Sequence, residues 1–294
     1  MALSLDATIF REYDIRGIVG KTLPVAGMRL IGRAFGTVVR RAGGRTVAVG
    51  YDGRLSSPEL EGVLVEGLRE AGVDVTRIGC GPSPMLYYAT HHLGTDAGMM
   101  VTGSHNPPDY NGIKMVLMNK PFFGNAIQTL AALVRDGDFE TGQGAVATAD
   151  IRDAYVSRLT RDAEGNKPLR VAWDPGNGAC GVLLRALCDR LPGHHVMINE
   201  AVDGNFPAHH PDPTVEENLE QLKAAVAQHQ CDLGIAFDGD GDRIGVIDAK
   251  GRVIWGDQLL VILAADVLAR RPGATIIADV KSSQVFFDEI TRLG

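Results

Sequence analysis

The sequence predicts an α/β protein of repeated domains, each a mixed, mostly parallel sheet flanked by helices, with an active-site cleft between domains. Three observations predict it. At 294 residues the chain exceeds the size that one hydrophobic core usually serves. Short β-branched or apolar runs alternate with segments whose apolar residues recur at helical spacing, the pattern of strand–helix–strand units. The polar loops that interrupt this pattern directly follow apolar runs, which puts them at the carboxyl ends of strands, where open α/β sheets gather ligands.

Taken in order, residues 46–51 (TVAVGY) are β-branched and apolar and read as a strand. The following SSPELEGVLVEGLREAG sets Leu60, Val63, Leu64, Gly67, Leu68 and Ala71 on one helical face, and Ser57-Pro58-Glu59 supplies the helix start. A strand is expected over 73–79, a helix over 84–93, and strands over 97–103 and 112–118. A helix over 125–135 leads into DGDFETGQGAVATAD, whose glycines and polar residues mark a domain boundary. The rhythm restarts with a strand at 169–174, a helix at 180–191, a strand at 195–199, a helix at 216–228 and strands at 232–237 and 244–248, closed by the turn Ala249-Lys250-Gly251. A third start gives a helix over 257–270, a strand over 275–280 and a helix over 282–293. The expected domains are therefore 1–150, 151–254 and 255–294. The last is only the beginning of a third, since one strand with its helices does not make a sheet.

The net charge of −7 disfavours a general nucleic-acid or membrane-surface binder, which needs a basic face. An anionic substrate remains compatible, because the local field in a cleft can oppose the global charge. The opening MALSLDATIF has neither a basic start nor a long apolar core, so no secretory leader is expected. The apolar run 259–265 is too short to span a bilayer. Cys80, Cys180, Cys188 and Cys231 have no C-x-x-C spacing, so free, mostly buried thiols and a cytoplasmic location are expected.

Four loops at strand ends carry the candidate chemistry: 102–111, 175–178, 238–243 and 281–282. In IAFDGDGDRIGV, Asp238, Asp240 and Asp242 alternate with Gly239 and Gly241, whose freedom lets the backbone turn tightly enough for three carboxylates to converge. Two carboxylates about 5 Å apart repel by roughly 3 kcal/mol at an effective dielectric of about 20. The triplet is thus either a solvated acidic turn or a cation site, and an all-oxygen ligand set favours Mg²⁺ or Mn²⁺. It is not an EF-hand: Arg243 stands where that loop needs Gly, and Ala249 where it needs Glu. Arg243 is either a salt-bridge partner of the triplet or a phosphate ligand. In VTGSHNPPDYNGIKMV, Ser104 follows a strand directly and is either a turn residue or a nucleophile activated by a base or metal. His105, adjacent in sequence, argues against a hydrolase-type triad, and the G-x-S-x-G elbow is absent. Lys114 interrupts an apolar strand, as a solvated edge lysine, a cation aimed at phosphate or a proton donor. Adjacent His209 and His210 do not easily share one ion, and a structural role is expected for them.

The segments FREYDIRG, GYDGRLSSPEL, TGSHNPPDYNGIK, DPGNG, VDGNFPAHHPDP, DGDGDR and ADVK, in this order from residue 10 to the end, resemble the α-D-phosphohexomutase superfamily, and within it the bacterial phosphomannomutase/phosphoglucomutase branch. The resemblance implies that Ser104 is a phosphoserine whose phosphate, with Asp238, Asp240 and Asp242, holds one Mg²⁺. It implies that Arg243 lies beside that phosphate, that Arg16 and Lys114 contact it or assist proton transfer, and that Tyr13, His105, Asn106 and Lys281 line the site. The implied reaction interconverts hexose 1- and 6-phosphates of mannose or glucose through a 1,6-bisphosphate, which also serves as activator. Phosphoryl transfer of this kind depends on in-line positioning and charge neutralisation.

The superfamily has four domains, the third with a GEMSG-like loop that reads sugar hydroxyls and the fourth with a loop that clamps the distal phosphate. Nothing after Lys281 supplies either. The expectation is therefore the phosphoryl-transfer half of a mutase, monomeric when complete, prone to association in this form and of doubtful activity alone. Two alternatives are a truncated, non-catalytic phosphate- or metal-binding module and a phosphatase with Asp238 as nucleophile. Against the second, Gly241 stands where such enzymes carry Thr or Val.

Overall fold

Seven strands and five helices of the first half of the chain surround a sheet whose centre is parallel and whose one flank is antiparallel. The computed structural model describes residues 5–163 and 167–294; residues 1–4 of the segment read as lacking a leader lie outside them. The strands are β1 (Ile15–Ile18), β2 (Thr46–Tyr51), β3 (Asp74–Cys80), β4 (Ala97–Val101), β5 (Tyr110–Leu117), β6 (Lys120–Pro121) and β7 (Val146–Thr148). Their order is β1-β5-β4-β2-β3-β7, with β6 paired to β5. β2 runs parallel to β3 and β4, and β3 to β7, whereas β5 is antiparallel to β4 and β1. Successive residues of the central strands serve opposite faces. Val47, Val49, Met99 and Val101 pack under α1 (Val25–Arg41), α2 (Ser57–Glu70) and α4 (Asn125–Asp136). Ala48 and Met100 pack under α3 (Ser83–His92) and α5 (Arg152–Arg161).

α1 carries Gly27, Gly32 and Gly36, each costing a helix up to about 1 kcal/mol relative to Ala, so local propensity hides it in the sequence. The reason for two of them is contact with α2. A Cβ on Gly32 would lie 2.3 Å from the Leu64 carbonyl oxygen, and one on Gly36 would lie 2.6 Å from the Ala71 Cβ. β7 lies inside the stretch read as a domain boundary, where its three residues extend the first sheet beyond β3.

The second sheet, in the order β12-β11-β10-β8-β9, is built from β8 (Leu169–Asp174), β9 (Gly193–Met197), β10 (Leu233–Phe237), β11 (Ile244–Asp248) and β12 (Val253–Ile254). β10, β8 and β9 are parallel; β11 and β12 add an antiparallel edge. α6 (Gly181–Cys188) packs Leu184 and Cys188 against Val171 and Trp173, and α7 (Glu220–Gln228) packs Leu222 and Val226 against Ala172 and Ile247 on the other face. Leu183 of α6 also joins the cluster formed by α3 and α5, so the two sheet units share apolar contacts.

The final segment holds α8 (Gly256–Arg270) and α9 (Gln284–Leu293). The strand expected over 275–280 does not form: residues 274–279 have no regular structure, and Ile277 and Val280 are 85% and 93% exposed. A β-branched run becomes a strand only where a neighbour accepts its hydrogen bonds, and this segment pairs with neither sheet. The four cysteines are free, three of them buried. No helix of the described residues is long and apolar enough to cross a membrane.

Candidate active site

Ser104 leaves β4 three residues after its end and adopts φ +50°, the left-handed region that a non-glycine residue enters only when its surroundings hold it there. Its backbone N–H donates to Thr102 Oγ1 at 2.8 Å. Its side chain is buried, and Oγ donates to Asp238 Oδ2 at 2.7 Å. His105 Nδ1 lies 3.4 Å from the same Oγ. Burial and the neighbouring Arg243 and Arg16 charges hold the His105 pKa below its ordinary value, which keeps the ring neutral near pH 7.

The acidic loop follows β10. Asp238 and Asp240 are fully buried, and the three carboxylates offer oxygens within 4.8 Å of one another, the one such cluster of metal-ligand type among the described residues. Asp238 Oδ1 accepts the backbone N–H groups of Asp242 and Arg243, both at 3.1 Å, so both of its oxygens are engaged. Burial, reinforced by the Asp240 and Asp242 charges, pushes Asp238 up to about 7. Asp240 is held down at about 2 even though burial opposes this, because Lys114 and Ser83 both bind its carboxylate. Its other oxygen, Oδ1, is buried without a hydrogen-bond partner. Two of the three carboxylates are thus buried, as those of a solvated acidic turn would not be, and Asp242 is exposed.

Lys114 is not an edge lysine: β5 lies between β1 and β4, and the ammonium contacts Asp240 at 2.6 Å and Asp242 more closely still. Burial opposes its charge, but the two carboxylates raise its pKa well above the ordinary lysine range. Arg16, on β1, is 5% exposed; it pairs with Asp14 and donates to the Gly103 carbonyl at 2.6 Å. Tyr13, Arg16, Ser104, His105, Asn106, Lys114, Asp242 and Arg243 all line one cleft of about 950 Å³. Tyr13 stacks at its lip with Phe123, ring centroids 6.5 Å apart. Lys281 is exposed and does not line this cleft; the 281–282 loop follows the segment that fails to join a sheet, so no strand end carries it there. The 175–178 loop packs against the acidic loop without lining the cleft: a Cβ on Gly178 would lie 2.9 Å from the Gly239 carbonyl oxygen, and the next residue, Ala179, donates its N–H to that oxygen at 2.9 Å. Behind it, His209 Nε2 bonds buried Asp174 at 2.9 Å while Nδ1 faces the His210 carbonyl, so both ring nitrogens have protein partners.

Two residues that sequence reasoning missed are Asp52 and Arg54, both fully buried and 3.3 Å apart. Asp52 Oδ2 accepts the Gly103 N–H at 2.9 Å. Arg54 donates to the carbonyls of Ser104, Asn106, Pro107 and Tyr110 at 2.8, 2.6, 2.5 and 3.0 Å. The available signal was DGR directly after the 46–51 strand, a charged pair at the same kind of strand end as the other four loops.

Comparison with known proteins matches residues 7–141 to the phosphoglucomutase/phosphomannomutase α/β/α domain I and residues 153–251 to domain II of the same family. The chain is 46% identical over 293 residues to a phosphomannomutase/phosphoglucomutase of Pseudomonas aeruginosa, covering 100% of this chain and 63% of that protein. It is 43% identical over 293 residues to a phosphoglucomutase of Neisseria gonorrhoeae, covering 99% and 64%. The crystal structure of a phosphoglucomutase/phosphomannomutase family protein from Burkholderia thailandensis superposes with a TM-score of 0.95 at 45% identity, over 99% of this chain and 65% of that one. The chain thus spans slightly less than two thirds of the length of these relatives.

Proposed function

Because the chain belongs to the phosphoglucomutase/phosphomannomutase family, we propose that it carries the phosphoryl-transfer centre of a phosphohexomutase that interconverts hexose 1- and 6-phosphates of mannose or glucose. The observation that carries this reading is the 2.7 Å bond between Ser104 Oγ, from one sheet, and Asp238, from the other. We read 1–150 and 151–254 as two domains, in accord with the two sheets and the two matched ranges, and 255–294 as the beginning of a third.

The residues fit a divalent metal. The orphaned Asp240 Oδ1, the crowding of three carboxylates and the all-oxygen donor set are the properties of a Mg²⁺ site. Asp238, Asp240, Asp242 and the Ser104 side chain would hold it, and when bound it supplies charge neutralisation for the transferred phosphoryl group. The remaining work falls to the chain. Ser104 alternates between free and phosphorylated, donating its phosphoryl to the free hydroxyl of a hexose monophosphate and recovering one from the resulting 1,6-bisphosphate. Arg243 and Arg16, both lining the cleft, would neutralise the phosphate. Lys114 and His105 line the same cleft, where neutral His105 would accept the proton of the attacking hydroxyl and the Lys114 ammonium would contact the phosphate or assist proton transfer. Tyr13 and Asn106 line the cleft and would contact the substrate, whereas Lys281 stands outside it.

An Asp238 nucleophile is the weaker reading, since both oxygens of that carboxylate are engaged by Ser104 and two backbone N–H groups. The test is incubation with glucose 1,6-bisphosphate and Mg²⁺ followed by mass spectrometry. Phosphate on Ser104, absent from Ser104→Ala, is the expected result. Phosphate on Asp238, or none, overturns the reading.

A further inference from the structure

The buried ion pair Asp52–Arg54 has no assigned part in the chemistry, yet it holds the reactive loop more completely than any other group. From the geometry we infer that Arg54 is a positioning residue that fixes Ser104 in its left-handed conformation, and that the 202–206 loop of the second sheet unit locks Arg54 in place from behind. The inference rests on the proposed role of Ser104 as phosphoryl carrier.

Three observations support it. First, a 0% exposed guanidinium donates to four carbonyls of one loop, those of Ser104, Asn106, Pro107 and Tyr110, which draws the loop into a ring around it. Charge-assisted bonds of this kind are the stronger class, and losing one leaves a buried carbonyl unpaired. Second, the residue just before the serine is held on both sides: Asp52 accepts the Gly103 N–H, and Arg16 donates to the Gly103 carbonyl. The Arg54 side chain lies flat on Gly103, where a Cβ would come within 2.1 Å of Nε. The backbone that presents Ser104 is thereby fixed on the Gly103 side.

Third, the opposite side of Arg54 is covered by the other sheet unit. The Phe206 ring, 7% exposed, sits 5.3 Å from the Arg54 guanidinium carbon, within reach of a cation–π contact. A Cβ on Gly204 would lie 2.4 Å from the Leu55 nitrogen and 2.8 Å from Arg54 Cα, so only a glycine lets that backbone seat there. Phe206 itself is at φ +51°, a second strained non-glycine residue on the same contact. The serine and the carboxylate it faces come from different units. A contact that registers the second unit on the residue clamping the serine sets the distance between them.

The experiment compares wild type, Arg54→Lys and Phe206→Leu by two readouts. Amide hydrogen exchange over residues 102–111 is expected to rise roughly fivefold or more in both variants, with α1 and α7 unchanged. The rate constant for Ser104 phosphorylation by glucose 1,6-bisphosphate is expected to fall about 100-fold in Arg54→Lys, as misplacement by about 1 Å can cost, while the half-saturating bisphosphate concentration holds. A purely structural Arg54 would instead lower global stability and raise exchange everywhere, and that result overturns the inference. Should Arg54→Lys fail to fold, Phe206→Leu decides alone: wild-type exchange over 102–111 in that variant overturns the proposal. If wild type itself takes no phosphate on Ser104, the functional reading falls, and the exchange data still report whether Arg54 and Phe206 hold the loop.

Discussion

Asp240 keeps one buried oxygen without a partner beside a lysine, a serine and two other carboxylates. Such an atom is costly unless a ligand completes it. Asp240→Asn is accordingly expected to weaken Mg²⁺ binding at least about 10–100-fold, the loss seen even for residues one shell further out. Calorimetric titration of both proteins checks this, and equal binding removes the metal assignment. His209 offers a separate test. Burial disfavours its charged form, but the bond to Asp174 outweighs that and raises its pKa above the usual value of about 6.5. The folded state then holds a proton that the unfolded state has lost. The stability from this pair is full below about pH 6.5 and declines as pH rises through the higher folded pKa. Denaturation midpoints measured across that window should fall with pH in wild type, and His209→Gln should lose that component of the slope.

At the scale of elements, the periodic apolar pattern of α2 was legible, and the structure adds why Gly67 belongs to its buried face. A Cβ there would lie 2.1 Å from the Arg29 carbonyl oxygen on α1. Gly67→Ala is expected to cost roughly 1–3 kcal/mol or more by forcing the two helices apart, read as a lower denaturant midpoint at unchanged slope. The strands at the centres of both sheets were equally legible, because a β-branched or apolar run buried on both faces is a strong local signal. Several elements were not, among them β1, β6, α5 and β12, for which no element was expected. α1 is masked by its glycines, β7 is three residues long inside a polar stretch, and the expected 275–280 strand has no partner to pair with. The acidic triplet and the serine were readable from spacing and neighbours. Asp52 and Arg54 were not, since their importance lies in backbone groups 50 to 56 residues away.

At the scale of the whole molecule, the last forty residues differ from the rest. α8 packs mainly on α9, and Ile262, Leu263 and Val285 are 57%, 54% and 66% exposed, alongside the exposed Ile277 and Val280. Apolar surface concentrated in this way promotes association. Sedimentation velocity of the 294-residue chain should therefore show concentration-dependent self-association, and a chain cut after Ile254 should show much less. Equal behaviour of the two would mean that the exposed residues of α8 and α9 do not drive it.

The pairing of β1 with β5 has a consequence for how this centre can be taken apart. Only four residues, registered from Ile15 opposite Ile113 to Ile18 opposite Tyr110, deliver Arg16 to the peptide that precedes the serine, and they do so as the outermost strand on their side of the sheet. A strand added at an edge through main-chain bonds is held by the same interactions that let a separate peptide bind. The amino-terminal segment is therefore the natural place to divide the protein into two complementing pieces. The smaller would carry Arg16 and the larger the serine, the lysine and all three carboxylates, so that reassembly of the edge strand acts as the switch that returns that arginine's charge to the serine loop.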